Sequence, residues 1–439
     1  MTKITLIGAG STSFGWGMVQ DLVAHASDLE ETRIVLNDLD AASLELMLSA
    51  ARGLARAATA QLHFEATTDL RAALQGAQFV IISVAVDRLA TWQRDWEIPR
   101  RHGVRQVLGE NGGPGGLGHT LRSVQTTMNV ARVIEEVAPQ ALVLNFTNPM
   151  SRICLALARA SKLRVVGLCH QIGAAYRIAG QVLGLVANEE QARDARDLLH
   201  HALDIKAAGL NHMTFIYAIR DATTGADRMP EFLERLAHMP ADFEPLSRRI
   251  LEAFGMFPAT GDGHVGEYFG YAWETSAERG YDFAGRAQHA ANERQRLSAL
   301  LAGTSSFTSE LGQTSGERAI PIISAILHNR NQYELALNIP NYGCIAGLPD
   351  WAIVEVPGLV SGAGVAGIHV PQLPAGILSM LAQQIAVQDR AVEAALHGDR
   401  QAALQALLLD PTTTSYAQSQ AILDELLEAH AAYLPLFAA

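Results

Sequence analysis

Apolar residues in the first part of the chain fall into short continuous runs, separated by stretches where they recur every three or four positions. A continuous run bounded by glycine, proline or asparagine is the pattern of a strand buried on both faces. The i, i+3, i+4 spacing is that of a helix laid over it. The pattern predicts strands over 3–7, 33–36, 79–86, 141–146 and 165–168, and helices over 15–26, 41–58 and 121–137, the last closed by Pro139. Strands alternating with helices in this way favour a doubly wound parallel sheet. Past residue 200 the alternation stops. Strands over 205–208 and 213–219 flank Gly209-Leu210-Asn211-His212, followed by helices over 231–239, 244–254, 284–301 and 320–329, strands over 334–339 and 352–356, and mostly helix from Pro374 onward. The expected organisation is an α/β half over 1–200 and an α+β half over 201–439, the second for substrate binding and oligomerisation. No internal repeat or low-complexity linker divides them.

Composition narrows the class. Of 439 residues, 49% are hydrophobic and 18% charged, as in an ordinary globular protein. A net charge of −12 argues against nucleic acid or an anionic membrane as partner. A set of three cysteines, Cys154, Cys169 and Cys344, is too sparse for a disulfide framework, so a reducing cytoplasm is expected. Neither a secretory leader nor a transmembrane run is expected from the pattern.

Five stretches carry candidate chemistry. In ITLIGAGSTSFG (4–15) a strand runs into Gly-x-Gly at a helix start, where backbone N–H groups and the helix dipole favour a pyrophosphate. Asp38, at the end of the second strand, suits a ribose hydroxyl and so NAD over NADP. The usual third glycine is replaced by Ser13. This is a Rossmann-like signature, with Gly8, Gly10, Ser11, Asp38 and Asn145 as candidate cofactor-binding residues. Cys169-His170 and Asn211-His212 together offer a thiolate and an imidazole, both good donors to a borderline divalent metal, although either residue alone is as often part of a core. GENGGPGGLGHTL (109–121) reads as a loop bringing backbone near a ligand, or as a plain surface loop. Asn145-Phe-Thr-Asn148-Pro149 puts amides at a strand end, for sugar hydroxyls or as a helix cap. FPATGDGHVGEY (257–268) gathers Asp262, His264 and Glu267 where a general base would be useful, or where solvated turn residues would sit.

Taken in order, these stretches resemble glycoside hydrolase family 4. The likeness spans nearly the whole chain: GAGS at 8–11, GPGG at 113–116 with Leu121-Arg122 after it, NFTNP at 145–149, GLCH at 167–170 and GLNH at 209–212. NIPNYGCIAGLP (338–349) and VEVP (354–357) also match. The resemblance implies a nucleotide-binding half like that of lactate and malate dehydrogenases. It also implies a glycosidase that avoids the usual carboxylate pair. In that mechanism NAD⁺ takes hydride from sugar C3, a divalent metal, commonly manganese, polarises the C2 and C3 oxygens, a base removes the C2 proton, and the glycosidic oxygen leaves. Water then adds and NADH returns the hydride.

By motif position the resemblance makes Cys169 and His212 metal ligands, Asn148 a substrate contact and His170 the acid near the leaving oxygen. Asp262 is the candidate base at C2, with Tyr268 in reserve. Self-association as a dimer or tetramer is implied too. His170 stands where members acting on 6-phosphosugars carry Asn or Asp, which points to a non-phosphorylated substrate. The nearest-looking branch includes α-galacturonidases and α-galactosidases, and an α-galacturonide or related uronide or galactoside is the first expectation. Yet Gly263 replaces an expected arginine, leaving Arg88 and Arg122 as candidate carboxylate partners. The rival readings are an NAD-dependent sugar or hydroxy-acid dehydrogenase with net NADH production, and a nucleotide-binding protein without turnover.

Overall fold

The computed structural model describes residues 2–275 and 281–438. The strands are β1 (Lys3–Ile7), β2 (Arg33–Asn37), β3 (His63–Thr67), β4 (Phe79–Ile82), β5 (Leu142–Asn145), β6 (Arg164–Gly167), β7 (Leu203–Leu210), β8 (Met213–Asp221), β9 (Gln332–Pro340), β10 (Ile353–Ser361) and β11 (Gly364–Gly367). They form one sheet in the order β3-β2-β1-β4-β5-β6-β9-β10-β7-β8, with β11 paired to β10. β1 to β6 are parallel neighbours, and the chain reverses its direction of travel between β1 and β4. That switch point opens a crevice beyond the carboxyl ends of the strands. Alternate strand residues face opposite sides: Ile4, Leu6 and Ile34 enter one buried cluster with Trp16 and Leu44, while Ile7, Val80 and Val143 enter another with Leu121 and Ile153. Helices on both faces bury the sheet, which is why these strands read as continuous apolar runs.

The second half of the chain extends this sheet with antiparallel strands. One row of partners joins β6 to three of them: Gly167 of β6 lies opposite Asn338 of β9, Asn338 opposite Glu355 of β10, and Glu355 opposite Gly209 of β7. Gly167 is two residues before Cys169 and Gly209 two before Asn211. The row therefore brings the GLCH and GLNH stretches to the same edge of the sheet.

Three expectations change. β3 escapes the apolar pattern because its HFEAT sequence buries Phe64 while His63 and Glu65 face solvent. β4 ends at Ile82 instead of residue 86, and residues 83–88 line a cleft. The glycine-rich stretch is no loop from Gly113 onward but the opening of a helix, Gly113–Val137, with Pro114 in its first turn. Its glycines serve close helix packing: a Cβ at Gly115 would meet the Asp95 carbonyl oxygen at 2.7 Å, and one at Gly118 the Asp95 Oδ1 at 2.4 Å. Among the described residues no helix is long and apolar enough to cross a membrane.

Candidate active site

The crevice at the switch point is a cavity of about 1190 Å³. Gly8, with φ +86°, leaves no room for a side chain, since a Cβ there would meet the Ser83 carbonyl oxygen at 1.9 Å. Gly10 N–H donates to Asp38 Oδ2 (2.8 Å), so the acid that ends β2 also braces the glycine turn. The third glycine is present after all, at position 15: a Cβ there would lie 2.1 Å from the Ala9 carbonyl oxygen. The spacing Gly8, Gly10, Gly15 held this signal, two residues later than the fingerprint places it. Gly8, Ser11 and Asp38 line the cavity, whereas Asn145 does not. Asn145 is fully buried and spends its amide within its own turn, donating to the Thr147 carbonyl (3.0 Å) and accepting from Thr147 N–H (3.1 Å). It shapes the NFTNP corner from which Asn148 faces the cavity.

At the far end of the cavity Cys169 Sγ lies 3.4 Å from His212 Nε2. A metal bound at roughly 2.0–2.3 Å from each donor holds two such atoms about this far apart. His212 turns the β7–β8 hairpin with φ +62°, and its Nδ1 is buried without a partner. Burial, then His264 and His170, hold its imidazole well below the usual range, so it is neutral, the form that ligates metals. Burial, with Glu355 second, pushes the Cys169 thiol up. Asn211 and Asn338 both donate to Glu355 Oε2 (2.7 and 2.9 Å), locking the hairpin to the sheet.

His170 projects into the same cavity, its Nδ1 2.7 Å from Glu317 Oε1. That hydrogen bond and the Glu317 charge raise its pKa. Glu317 comes from a segment pinned by Ser315 to Asp21, and nothing local in the sequence marks it. Glu110 and His119 also line the cavity, joined by a 3.0 Å contact from His119 Nδ1 to the Glu110 carbonyl.

Other candidate residues are committed elsewhere. Asp262 is no neighbour of the Cys169–His212 pair by any hydrogen bond: its carboxylate accepts from Leu246 N–H (2.8 Å), Ser247 N–H (2.7 Å) and Ser247 Oγ–H (2.7 Å), capping the helix Pro245–Phe254. Tyr268 is buried and its hydroxyl donates to the Asn211 carbonyl (3.2 Å). Burial and Glu267 push its phenol well above the usual range, so it stays protonated. Arg122 is buried in a two-pronged pair with Asp95 (2.8 and 2.5 Å), leaving little to offer a substrate carboxylate. Arg88 does reach the cavity but lies 3.4 Å from the Glu110 carboxylate and over the Trp92 ring.

The Asp262 cap carries a stability prediction. Asp262 N–H donates to Glu244 Oε2 (2.6 Å), and burial together with the Asp262 charge raises the Glu244 pKa to about 7. Unfolded, Glu244 ionises near pH 4.3–4.5, so between there and pH 7 the folded state holds the extra proton and stability falls as pH rises. Glu244→Gln keeps the acceptor oxygen and removes the charge. Denaturant unfolding at pH 8 is expected to show it more stable than the parent by on the order of 1–2 kcal/mol, with the gain vanishing at pH 4.

Comparison with known proteins agrees with this architecture. The model of the family 4 glycosyl hydrolases matches residues 3–185, and that of the family 4 glycosyl hydrolase C-terminal domain matches 207–413. An α-glucosidase of Erwinia rhapontici is 33% identical over 454 aligned positions, covering 93% of each chain. An α-galactosidase of Bacillus subtilis is 26% identical over 99% of each. The solved 6-phospho-α-glucosidase from gut microorganisms, a complex with NAD and Mn²⁺, superposes with a TM-score of 0.82 over 98% of both chains at 23% identity, which establishes a shared fold. The chain belongs to glycosyl hydrolase family 4 and is a glycosidase.

Proposed function

We propose that this protein hydrolyses a neutral α-linked hexoside by an oxidation–elimination sequence, using a nicotinamide dinucleotide and a divalent metal such as manganese. The observation that carries the reading is the Cys169–His212 pair, 3.4 Å apart at the end of a glycine-floored nucleotide cleft. The residues fit both groups. Gly8 and Gly15 let the turn close tightly against the Ser83 and Ala9 carbonyls at the start of the helix Phe14–Ala24, where a pyrophosphate would meet backbone N–H groups, and Asp38 has a carboxylate at the ribose end. A cysteine, which would give up its thiol proton on ligation, and a neutral imidazole form a donor pair for a borderline metal and leave its other positions to sugar oxygens and water.

When bound, the nicotinamide supplies the reversible oxidation of sugar C3. The metal, when bound, supplies polarisation of the C2 and C3 oxygens. The rest falls to this chain's side chains. Asn148, whose Oδ1 has no protein partner, would accept a sugar hydroxyl proton. His170, held at Nδ1 by Glu317, would give a proton to the departing glycosidic oxygen. In this reading 1–200 supplies the nucleotide side of the site and 201–439 supplies His212 and its support.

The lining also bears on the substrate. Glu110, Glu293 and Glu317 face the cavity, and the two arginines on its wall are already paired, Arg88 with Glu110 and Arg296 with Glu293 and Glu310, while Arg122 is tied to Asp95. Carboxylates at the wall disfavour a uronate or phosphate and suit hydroxyls. In this reading an α-glucoside or α-galactoside, the substrates in the names of the two relatives, stands ahead of the α-galacturonide that the sequence also allows. A panel of p-nitrophenyl α- and β-hexosides, uronides and 6-phosphates, assayed with NAD⁺ and Mn²⁺ under reducing conditions, tests this. Release of nitrophenol from a neutral α-hexoside without net NADH is expected. Stoichiometric NADH would instead mark a dehydrogenase, and turnover confined to uronides or 6-phosphates would refute the substrate class.

A further inference from the structure

His119 stands in the second turn of the helix Gly113–Val137 and lines the same cavity as Asn148, Cys169 and His170, yet the reading above gives it no task. The residue is only 7% exposed. Burial, then the Arg122 charge, hold its pKa below the usual range, so the ring is neutral. A neutral imidazole carries one proton, and the neighbouring group decides on which nitrogen. Nδ1 lies 3.0 Å from the Glu110 carbonyl oxygen, which can only accept, so the proton is on Nδ1. Glu110 is itself fixed, its N–H donating to Glu267 Oε2 at 2.8 Å. Nε2 is left as a bare lone pair, with no protein donor among the described residues.

The topology says which end of a sugar this lone pair would meet. His119 shares its wall with residues 84–86, which follow β4, whereas Cys169 follows β6. Only β5 separates those two strands. Neighbouring strands lie about 4.8 Å apart, so the two strand ends are roughly 10 Å apart, a gap that one hexopyranose with its exocyclic oxygens can bridge. A sugar whose C2 and C3 oxygens meet a metal at Cys169 turns C5 and its C6 substituent, across the ring from C2, toward the opposite wall.

From this placement we infer that His119 is a specificity-determining residue, its Nε2 accepting the proton of the sugar's C6 hydroxyl. The inference rests on the oxidation–elimination reading above, which puts C2 and C3 at the metal. A primary hydroxyl has a proton to give to Nε2. A C6 carboxylate offers only acceptors, so it would set oxygen lone pairs against a nitrogen lone pair with no proton between them. A 6-deoxy sugar would leave Nε2 buried and unpaired. The preference for a neutral hexoside is thereby tied to a single tautomer, which the Glu110 carbonyl fixes.

The test uses the full-length protein with NAD⁺ and Mn²⁺. It compares kcat/KM on whichever p-nitrophenyl α-hexoside is turned over with that on the 6-deoxy analogue. The wild type is expected to lose about 10–100-fold on the 6-deoxy sugar. His119→Ala is expected to lose about as much on the parent sugar and nothing further on the 6-deoxy one, while binding NADH and Mn²⁺ as the wild type does. His119→Gln, which can set an amide oxygen where Nε2 stands, is expected to recover part of the preference for the 6-hydroxyl. The same 6-deoxy penalty in the wild type and in His119→Ala would overturn the proposal. Loss of NADH affinity in His119→Ala with that penalty unchanged would also overturn it, assigning Nε2 to the nicotinamide amide. A wild type that turns over no neutral α-hexoside would overturn the reading of the substrate, and this proposal with it.

Discussion

Cys169→Ser is expected to abolish Mn²⁺ binding and to lower turnover on the order of 10³-fold or more, while NAD⁺ binds as before. Loss of an outer partner to a metal ligand costs roughly 10–100-fold in metal affinity, so loss of the ligand itself costs more. Of the two donors held 3.4 Å apart, His212 alone is left, and a single neutral imidazole competes poorly with water for manganese. In the proposed reading the dinucleotide would be held elsewhere, at the Gly8–Asp38 turn at the ends of β1 and β2. Serine is nearly isosteric and the residue is only half-buried, so the melting temperature should hardly move. Calorimetric titration with Mn²⁺ beside fluorescence titration with NADH separates these outcomes. Unchanged Mn²⁺ affinity would remove the metal site from the Cys169–His212 pair.

Asp95→Ala is expected to destabilise the fold by about 3–5 kcal/mol, the usual cost of stranding one member of a buried ion pair. The Asp95 carboxylate is fully buried. It accepts both prongs of Arg122, from the helix Gly113–Val137, and a contact at 2.8 Å from His430 near the chain's end. Without it the Arg122 guanidinium, 3% exposed, has its charge in the interior uncompensated. Asp95→Ala/Arg122→Met should recover much of the loss, because an apolar pair need not be solvated. Urea unfolding of the single and double variants decides it, and equal instability of both would show that His430 or helix packing matters more than the ion pair.

These two predictions differ in how far the sequence led to them. Cys169 and His212 stand in motifs that match family 4 by order and spacing, so they were legible one at a time. Arg122 was legible only as a cation, and its charge pointed toward a substrate until Asp95, 27 positions earlier, was found beside it. Asp262 is a similar case: an acid in a polar, glycine-rich turn looks like a base, and only the N–H groups of Leu246 and Ser247 make it a cap. The glycines of 112–118 read as loop because turns and close helix contacts use the same residue for the same lack of a Cβ.

By itself the sequence determined five strands of the parallel layer, β1, β2, β4, β5 and β6, through apolar runs whose period is local; β3, with solvent-facing His63 and Glu65, carried no such run. It also determined the tight glycine turn after β1, where Gly8 and Gly15 have no room for a Cβ, and the family, through motifs read in order. The tertiary structure alone decided which of the scattered polar groups meet. The row Gly167–Asn338–Glu355–Gly209 joins residues far apart in the chain, and it is this pairing that carries His212 to Cys169. Hydrophobic period reports which face of an element is buried; it holds no information on which distant carboxylate will find a given arginine or histidine. The contacts of Glu317 and Asp95 are set by such long-range partners, and so they became visible only once the chain was folded.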